Sequence, residues 1–283
     1  MIQYTGMSSY KELLQHAREF LKKNGIADAD ADAWYLLSHV FGISRTDLLI
    51  RGQEPCPEDK VLEYIRLVEK RASCIPLQYL TRIQEFMGLE FEVDEHVLIP
   101  RQDTELLVEE ILKVSKNKSV LDLCTGSGCI IISIVKSGDL KSATGVDISE
   151  KALQVARKNA QNLNADVTLV CSDLFEKVVG NYDIIVSNPP YIKSGELLSL
   201  MAEVRDHEPK LALDGGYDGL EFYRRIINGL DGFLNPGGYV FFEIGHDQGE
   251  AVKSLLRKAG FIDIYVKKDF SGLDRIVCGK SPF

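Results

Sequence analysis

Between residues 119 and 279 of this 283-residue chain, strand-like and helix-like patterns alternate, and this limits the fold more than anything else in the sequence. Short apolar runs at 119–123, 143–147, 167–171, 182–187 and 238–244 read as strands. Helical patterns at about 129–136, 150–163, 195–204, 220–230 and 248–259 follow them. Such alternation predicts a doubly wound α/β sheet, because a parallel strand needs a long crossover. Two last strands, 262–267 and 275–279, are joined by a short turn containing Ser271 and Gly272. So short a link cannot join parallel strands, so one of the two must run antiparallel.

Residues 8–80 read differently. Ser8 or Ser9 can cap a helix carrying Leu13, Leu14, Ala17, Phe20 and Leu21, which ends at Asn24-Gly25. A second helix spans about 28–41 and stops at Gly42; a short one is expected at 44–51 and a longer one at 57–71, with Pro57 in a first turn. Residues 86–99 then read as a β-hairpin. The expected organisation is α/β: a Rossmann-like seven-stranded sheet with one antiparallel strand (100–283), preceded by a small all-α domain (1–82) and a β-hairpin linker (83–99).

Bulk properties exclude several classes. No run of roughly 18 apolar residues exists, so no membrane span is expected. The first fifteen residues lack the basic and apolar blocks of a signal peptide, so a cytoplasmic protein is expected. The six cysteines form no C-x-x-C pair and read as buried reduced thiols, and the five histidines show no ligand spacing, so no metal site is expected. A formal net charge of −9 argues against a protein that grips nucleic acid directly.

The chemistry gathers at strand ends. The first strand of the sheet runs into Asp122-Leu123-Cys124-Thr125-Gly126-Ser127-Gly128, a turn where the backbone can approach a ligand closely. The third glycine of a dinucleotide fingerprint is replaced by Ile131, and Asp122 would repel a pyrophosphate. A cationic amino-acid ligand, such as a sulfonium cofactor with an ammonium group, fits Asp122 better. Asp147 at the tip of the second strand stands where a carboxylate takes two ribose hydroxyls, and Asp173 with Leu174 ends the third strand where an adenine would lie.

The fourth strand ends in Asn188-Pro189-Pro190-Tyr191. Two prolines remove two backbone donors, leaving carbonyl oxygens free to accept. The Asn188 side chain adds another acceptor, so together they can grip both hydrogens of a planar NH₂ group. Tyr191 offers a ring for such a group to stack on. An amide nitrogen is a poor nucleophile, so orientation has most of the rate to supply.

Five segments together carry a family resemblance: VLIPRQDTELL (97–107), DLCTGSGC (122–129), GVDIS (145–149), SNPPYI (187–192) and EPKLALDGGYDGL (208–220). With PLQYL (76–80), the chain resembles the methyltransferases that act on the glutamine of peptide chain release factors. That resemblance implies a methyltransferase fold and a reaction in which S-adenosyl-L-methionine and a release-factor glutamine give N5-methylglutamine and S-adenosyl-L-homocysteine, within a Gly-Gly-Gln loop. It implies that the Asp122–Gly126 turn, with Leu123, Cys124 and Thr125, and Asp147 hold the cofactor. Asn188, Pro189, Pro190 and Tyr191 would hold the glutamine amide, with Asn188 also beside the methionine end of the cofactor. The chain departs from the family at Gln102, where relatives usually carry proline, and at Leu174, where many carry an aromatic residue. The partners expected are release factors, with no nucleic acid and no membrane, and the protein is expected to be a monomer. Two other readings share parts of this pattern: a nucleic-acid amino methyltransferase, and a non-catalytic cofactor-binding module that docks partners through its helical domain.

Overall fold

The computed structural model describes residues 9–282, which divide into two compact units. The first unit is helical: α1 (Tyr10–Lys23), α2 (Ala29–Phe41), α3 (Arg45–Arg51), α4 (Glu58–Ala72) and α5 (Leu77–Thr81). Ser9 caps α1 in a reciprocal box with Glu12; Ser8 lies outside the described residues. Gly42 closes α2 in a left-handed conformation. Pro57 is the residue before α4 rather than its first turn, since its ψ of 127° is extended. Leu13, Leu21, Leu36, Leu37, Tyr64 and Val68 form the buried core of this unit.

The second unit begins with a two-stranded antiparallel hairpin, β1 (Ile83–Phe86) and β2 (Leu89–Glu92). The sequence pattern predicts strand structure as far as residue 99, but the apolar residues Val93, Val97 and Ile99 are buried in non-strand chain. Burial without a ladder gives the same apolar signal as a strand. Next come α6 (Gln102–Leu112), β3 (Ser119–Leu123), α7 (Cys129–Ser137), β4 (Ser142–Asp147), α8 (Glu150–Asn162), β5 (Thr168–Cys171) and β6 (Tyr182–Ser187). The chain continues through α9 (Ala202–His207), α10 (Glu221–Gly229), β7 (Leu234–Glu243), α11 (Gly249–Lys258), β8 (Ile262–Lys268) and β9 (Asp274–Lys280). The single helix expected over 195–204 is instead a 3₁₀ turn at Ser194–Ser199 and then α9, which belongs with residues 201–207 to the helical unit.

The seven strands lie in the order β5-β4-β3-β6-β7-β9-β8. Only β9 is antiparallel to its neighbours, so the architecture is α/β with one reversed strand, as the short final link required. Alternation along each strand feeds two apolar layers. Val186 and Phe241 face a cluster with Leu107, Ile111 and Ile131, while Ile185 and Phe242 face one with Tyr223, Ile226 and Val252. Chain order leaves β3 for β4 and β5, then returns to β6 on the other side of β3. This reversal opens a crevice beyond the carboxyl ends of β3 and β6, where ligands bind in open α/β sheets.

Candidate active site

A cavity occupies that crevice. Cys124, Thr125 and Gly126 after β3, Asp147 at the end of β4, Asp173 and Leu174 after β5, and Asn188 and Pro190 after β6 all line it. Residues far apart in the chain thus converge because the strands end in register, with Leu123 beside Ser187 and Asp147 beside Cys171. The Ser187 hydroxyl donates to the Leu123 carbonyl at 2.7 Å and ties the two strand ends together.

Asp147 is held in one orientation. One carboxylate oxygen accepts from the Gly126 N–H at 2.9 Å and the other from the Ser149 N–H at 2.9 Å. Burial pushes its pKa up, opposed by those backbone donors. At Gly126 an added Cβ would meet no protein atom within 4 Å, so the space above this glycine belongs to the cavity. The Asp173 carboxylate receives the Arg225 guanidinium at 2.7 and 2.8 Å, and Arg225 also lies over the Phe222 ring. Leu174, Ile148 and Phe222 add apolar lining beside them.

Four residues singled out in the sequence, Asp122, Leu123, Pro189 and Tyr191, do not line this cavity. Asp122 is fully buried, and its carboxylate accepts from the Thr125 hydroxyl at 2.6 Å. Direct contact between Asp122 and a ligand ammonium, expected from the sequence, is therefore not what the geometry provides. Asp122 instead holds the turn through Thr125, while burial pushes its pKa to about 7, with the Asp147 charge adding to the effect. Leu123 is a core residue of the strand. Pro189 is buried, and Tyr191 is half-buried, packing against the layer of Tyr223 and Phe242. Burial also pushes the Tyr191 phenol upward.

Several site residues are not recognisable as individuals in the sequence. His96, Val97, Leu98, Pro100, Arg101 and Thr104 form another wall of the cavity. Arg101 pairs with the buried Glu208 at 2.5 Å, joining this wall to the Pro209–Ala212 stretch that also lines the cavity. For all residues of that wall but His96 the signal is the VLIPRQDTELL segment, whose residue types do not by themselves say that they face a ligand. Glu243, at the end of β7, is 2% exposed, and burial pushes its pKa to about 7 while the Thr104 hydroxyl and Arg275 pull it down.

Comparison with known proteins identifies the family. Residues 12–81 match the family model of the PrmC N-terminal domain, and residues 101–207 match that of the methyltransferase small domain. The chain is 40% identical to the release factor glutamine methyltransferase of Geobacter sulfurreducens, over 95% of this chain and 96% of that one. It is 39% identical to the release factor glutamine methyltransferase of Bacillus subtilis, over 96% and 98%. A methyltransferase structure from Pyrococcus furiosus shares the fold, with a TM-score of 0.52 at 19% identity, covering 69% of this chain and 90% of that chain. Identity of this order along nearly the whole chain places it in the release factor glutamine methyltransferase family.

Proposed function

We propose that this enzyme transfers a methyl group from S-adenosyl-L-methionine to the side-chain amide nitrogen, N5, of the glutamine in the Gly-Gly-Gln motif of peptide chain release factors. The observation that carries the reading is the presence of Asn188 on the wall of the same cavity as Gly126 and Asp147, at the switch point of the sheet.

The residues present fit the cofactor. Gly126 leaves open space against the main chain, and Asp147 keeps a fixed, charged acceptor for two ribose hydroxyls. Leu174, Ile148 and Phe222 supply apolar surface for a flat base, with Asp173 beside it. Cys124 and Thr125 continue the wall toward Asn188, which stands near the methionine end. When bound, the cofactor supplies a methyl group on a sulfonium centre.

The chain's own contribution is orientation. Asn188 Oδ1 and the carbonyl oxygen of Pro189 accept the two N–H bonds of the glutamine amide and turn its nitrogen toward the methyl group. Pro190 keeps the loop rigid, and Tyr191, packed against Tyr223 and Phe242 rather than lining the cavity, braces that loop. Product formation leaves N5-methylglutamine, S-adenosyl-L-homocysteine and one proton, which departs to water. Residues 1–82 act as the substrate-recognition domain, residues 83–99 as a linker and residues 100–283 as the catalytic domain. The enzyme works in the cytoplasm as a monomer; among the described residues no helix is long and apolar enough to cross a membrane.

Transfer of labelled methyl from the cofactor to purified release factor, DNA and RNA separates the readings. Label on release factor alone is expected. Label on nucleic acid alone contradicts the substrate assignment, and no label on any acceptor contradicts catalysis.

A further inference from the structure

The loop after β6 has an unusual mechanical problem. Pro189 and Pro190 have no N–H, so the tip cannot be tied down by donors of its own there. Its anchoring falls on Tyr191 and Ile192. The Ile192 N–H donates to the Leu213 carbonyl at 3.0 Å, and the Ile192 carbonyl accepts from the Gly215 N–H at 2.8 Å. The Tyr191 carbonyl, closest to the two prolines, accepts at 2.9 Å from the side-chain amide of Gln248.

Gln248 is built to hold that position. It is 5% exposed and sits at the start of α11, so its backbone is part of a packed helix end. Its second amide hydrogen goes to the Gly219 carbonyl at 3.1 Å. Its Oε1 accepts from the Gly245 N–H at 3.0 Å and lies 3.3 Å from the Tyr223 hydroxyl, whose single hydrogen has a closer acceptor in the Glu243 carbonyl at 2.9 Å. Both amide hydrogens are used and Oε1 has a backbone donor, so a reversed amide would set oxygen against two carbonyls. The surroundings leave no slack. Gly219 has φ of +71°, and a Cβ there would come within 2.4 Å of the Tyr191 carbonyl oxygen and 2.6 Å of Gln248 Nε2.

We infer that Gln248 is a positioning residue for methyl transfer: by fixing the Tyr191 carbonyl it sets the aim of Asn188 and Pro189 on the substrate amide. The inference rests on the functional reading above. A residue that acts through aim changes the rate of the bound complex more than its formation. Misplacement by about 1 Å typically lowers turnover about 100-fold.

The test compares Gln248→Glu and Gln248→Met with the wild-type enzyme. The first keeps size and replaces the two donors with an oxygen facing two carbonyls; the second keeps volume without polarity or charge. Steady-state kinetics on release factor and calorimetry with S-adenosyl-L-homocysteine are read below each variant's melting temperature. The expected result is a fall in kcat of about 10- to 100-fold in both variants. KM for release factor and Kd for S-adenosyl-L-homocysteine should stay within about threefold, a change worth less than about 1 kcal/mol. Wild-type kcat in either folded variant, or a loss confined to KM, Kd or melting temperature, overturns the positioning role. If Gln248→Glu does not fold, Gln248→Met decides. A wild-type enzyme that transfers no methyl to release factor overturns the functional reading itself, which separates the two failures.

Discussion

At the scale of single residues, Asp147 and Asn188 divide the labour in the proposed reaction. Asp147 is oriented by two backbone donors before any ligand arrives, so the role proposed for it is affinity. Asp147→Ala is expected to weaken S-adenosyl-L-homocysteine binding by about tenfold or more, since a charged hydrogen bond is worth about 1.5–3 kcal/mol; unchanged affinity by calorimetry would contradict it. Asn188→Ala should instead remove most turnover while cofactor affinity changes much less. Equal turnover in that variant would sink the amide clamp. Glu243 makes a different prediction. Its carboxyl has an ordinary pKa of 4.5 and is pushed to about 7 by burial in the folded protein. A group with a raised folded pKa lends stability that is complete below 4.5 and lost as pH rises through about 7. Glu243→Gln cannot ionise, so the fall in melting temperature between about pH 5 and about pH 8 should be smaller than in the wild type. An equal or steeper fall would show that Glu243 is not the group responsible.

At the scale of elements, the segment 213–219 shows what sequence alone does and does not reveal. Its glycines belong to a family pattern, but their purpose lies in another segment. A Cβ at Gly215 would sit 2.6 Å from the Tyr191 Cα and 2.8 Å from the Pro190 carbonyl oxygen, both main-chain atoms that cannot swing aside. Gly215→Ala is therefore expected to displace the Asn188–Tyr191 loop and cost at least about tenfold in kcat, with S-adenosyl-L-homocysteine binding little changed. Wild-type kcat would mean that the two segments are not in rigid contact. The sheet is legible because strand alternation and the glycine turn are local signals. That Gly126, Asp147 and Asn188 line one cavity is legible because strand ends meet at one edge in such folds. Gln248 is not, since it reaches a partner 57 residues away and nothing in a sequence states that pairing. Helix α6 is hidden in a segment that stands out as a motif, although Leu106, Leu107 and Ile111 carry helical spacing. The break in the helix expected over 195–204 has a plain cause. Leu200 is extended, with ψ of 155°, so the helix cannot run through it. Asp122 differs from its expected role for a related reason: its position at a strand end suits a ligand contact, but its burial is a property of the packed turn.

At the scale of the whole molecule, each unit carries its own core. In the helical unit, Arg71 is 4% exposed and pairs with the buried Asp32 at 2.7 Å and with Glu203 of α9 at 2.5 Å. Arg71→Ala would leave the Asp32 carboxylate buried without its cation, which typically costs about 3–5 kcal/mol. Hydrogen exchange of α2 and α4 should accelerate in that variant, and unchanged protection would contradict the pairing. In the sheet unit, one crevice gathers the tips of β3, β4, β5 and β6, and that convergence is the basis of the proposed chemistry. The most direct measurement is mass spectrometry of tryptic peptides from release factor incubated with the enzyme and S-adenosyl-L-methionine. One added methyl on the peptide bearing the Gly-Gly-Gln motif, with fragment ions placing it on the glutamine side chain, is the predicted result. A methyl on any other residue, or none, would contradict the account.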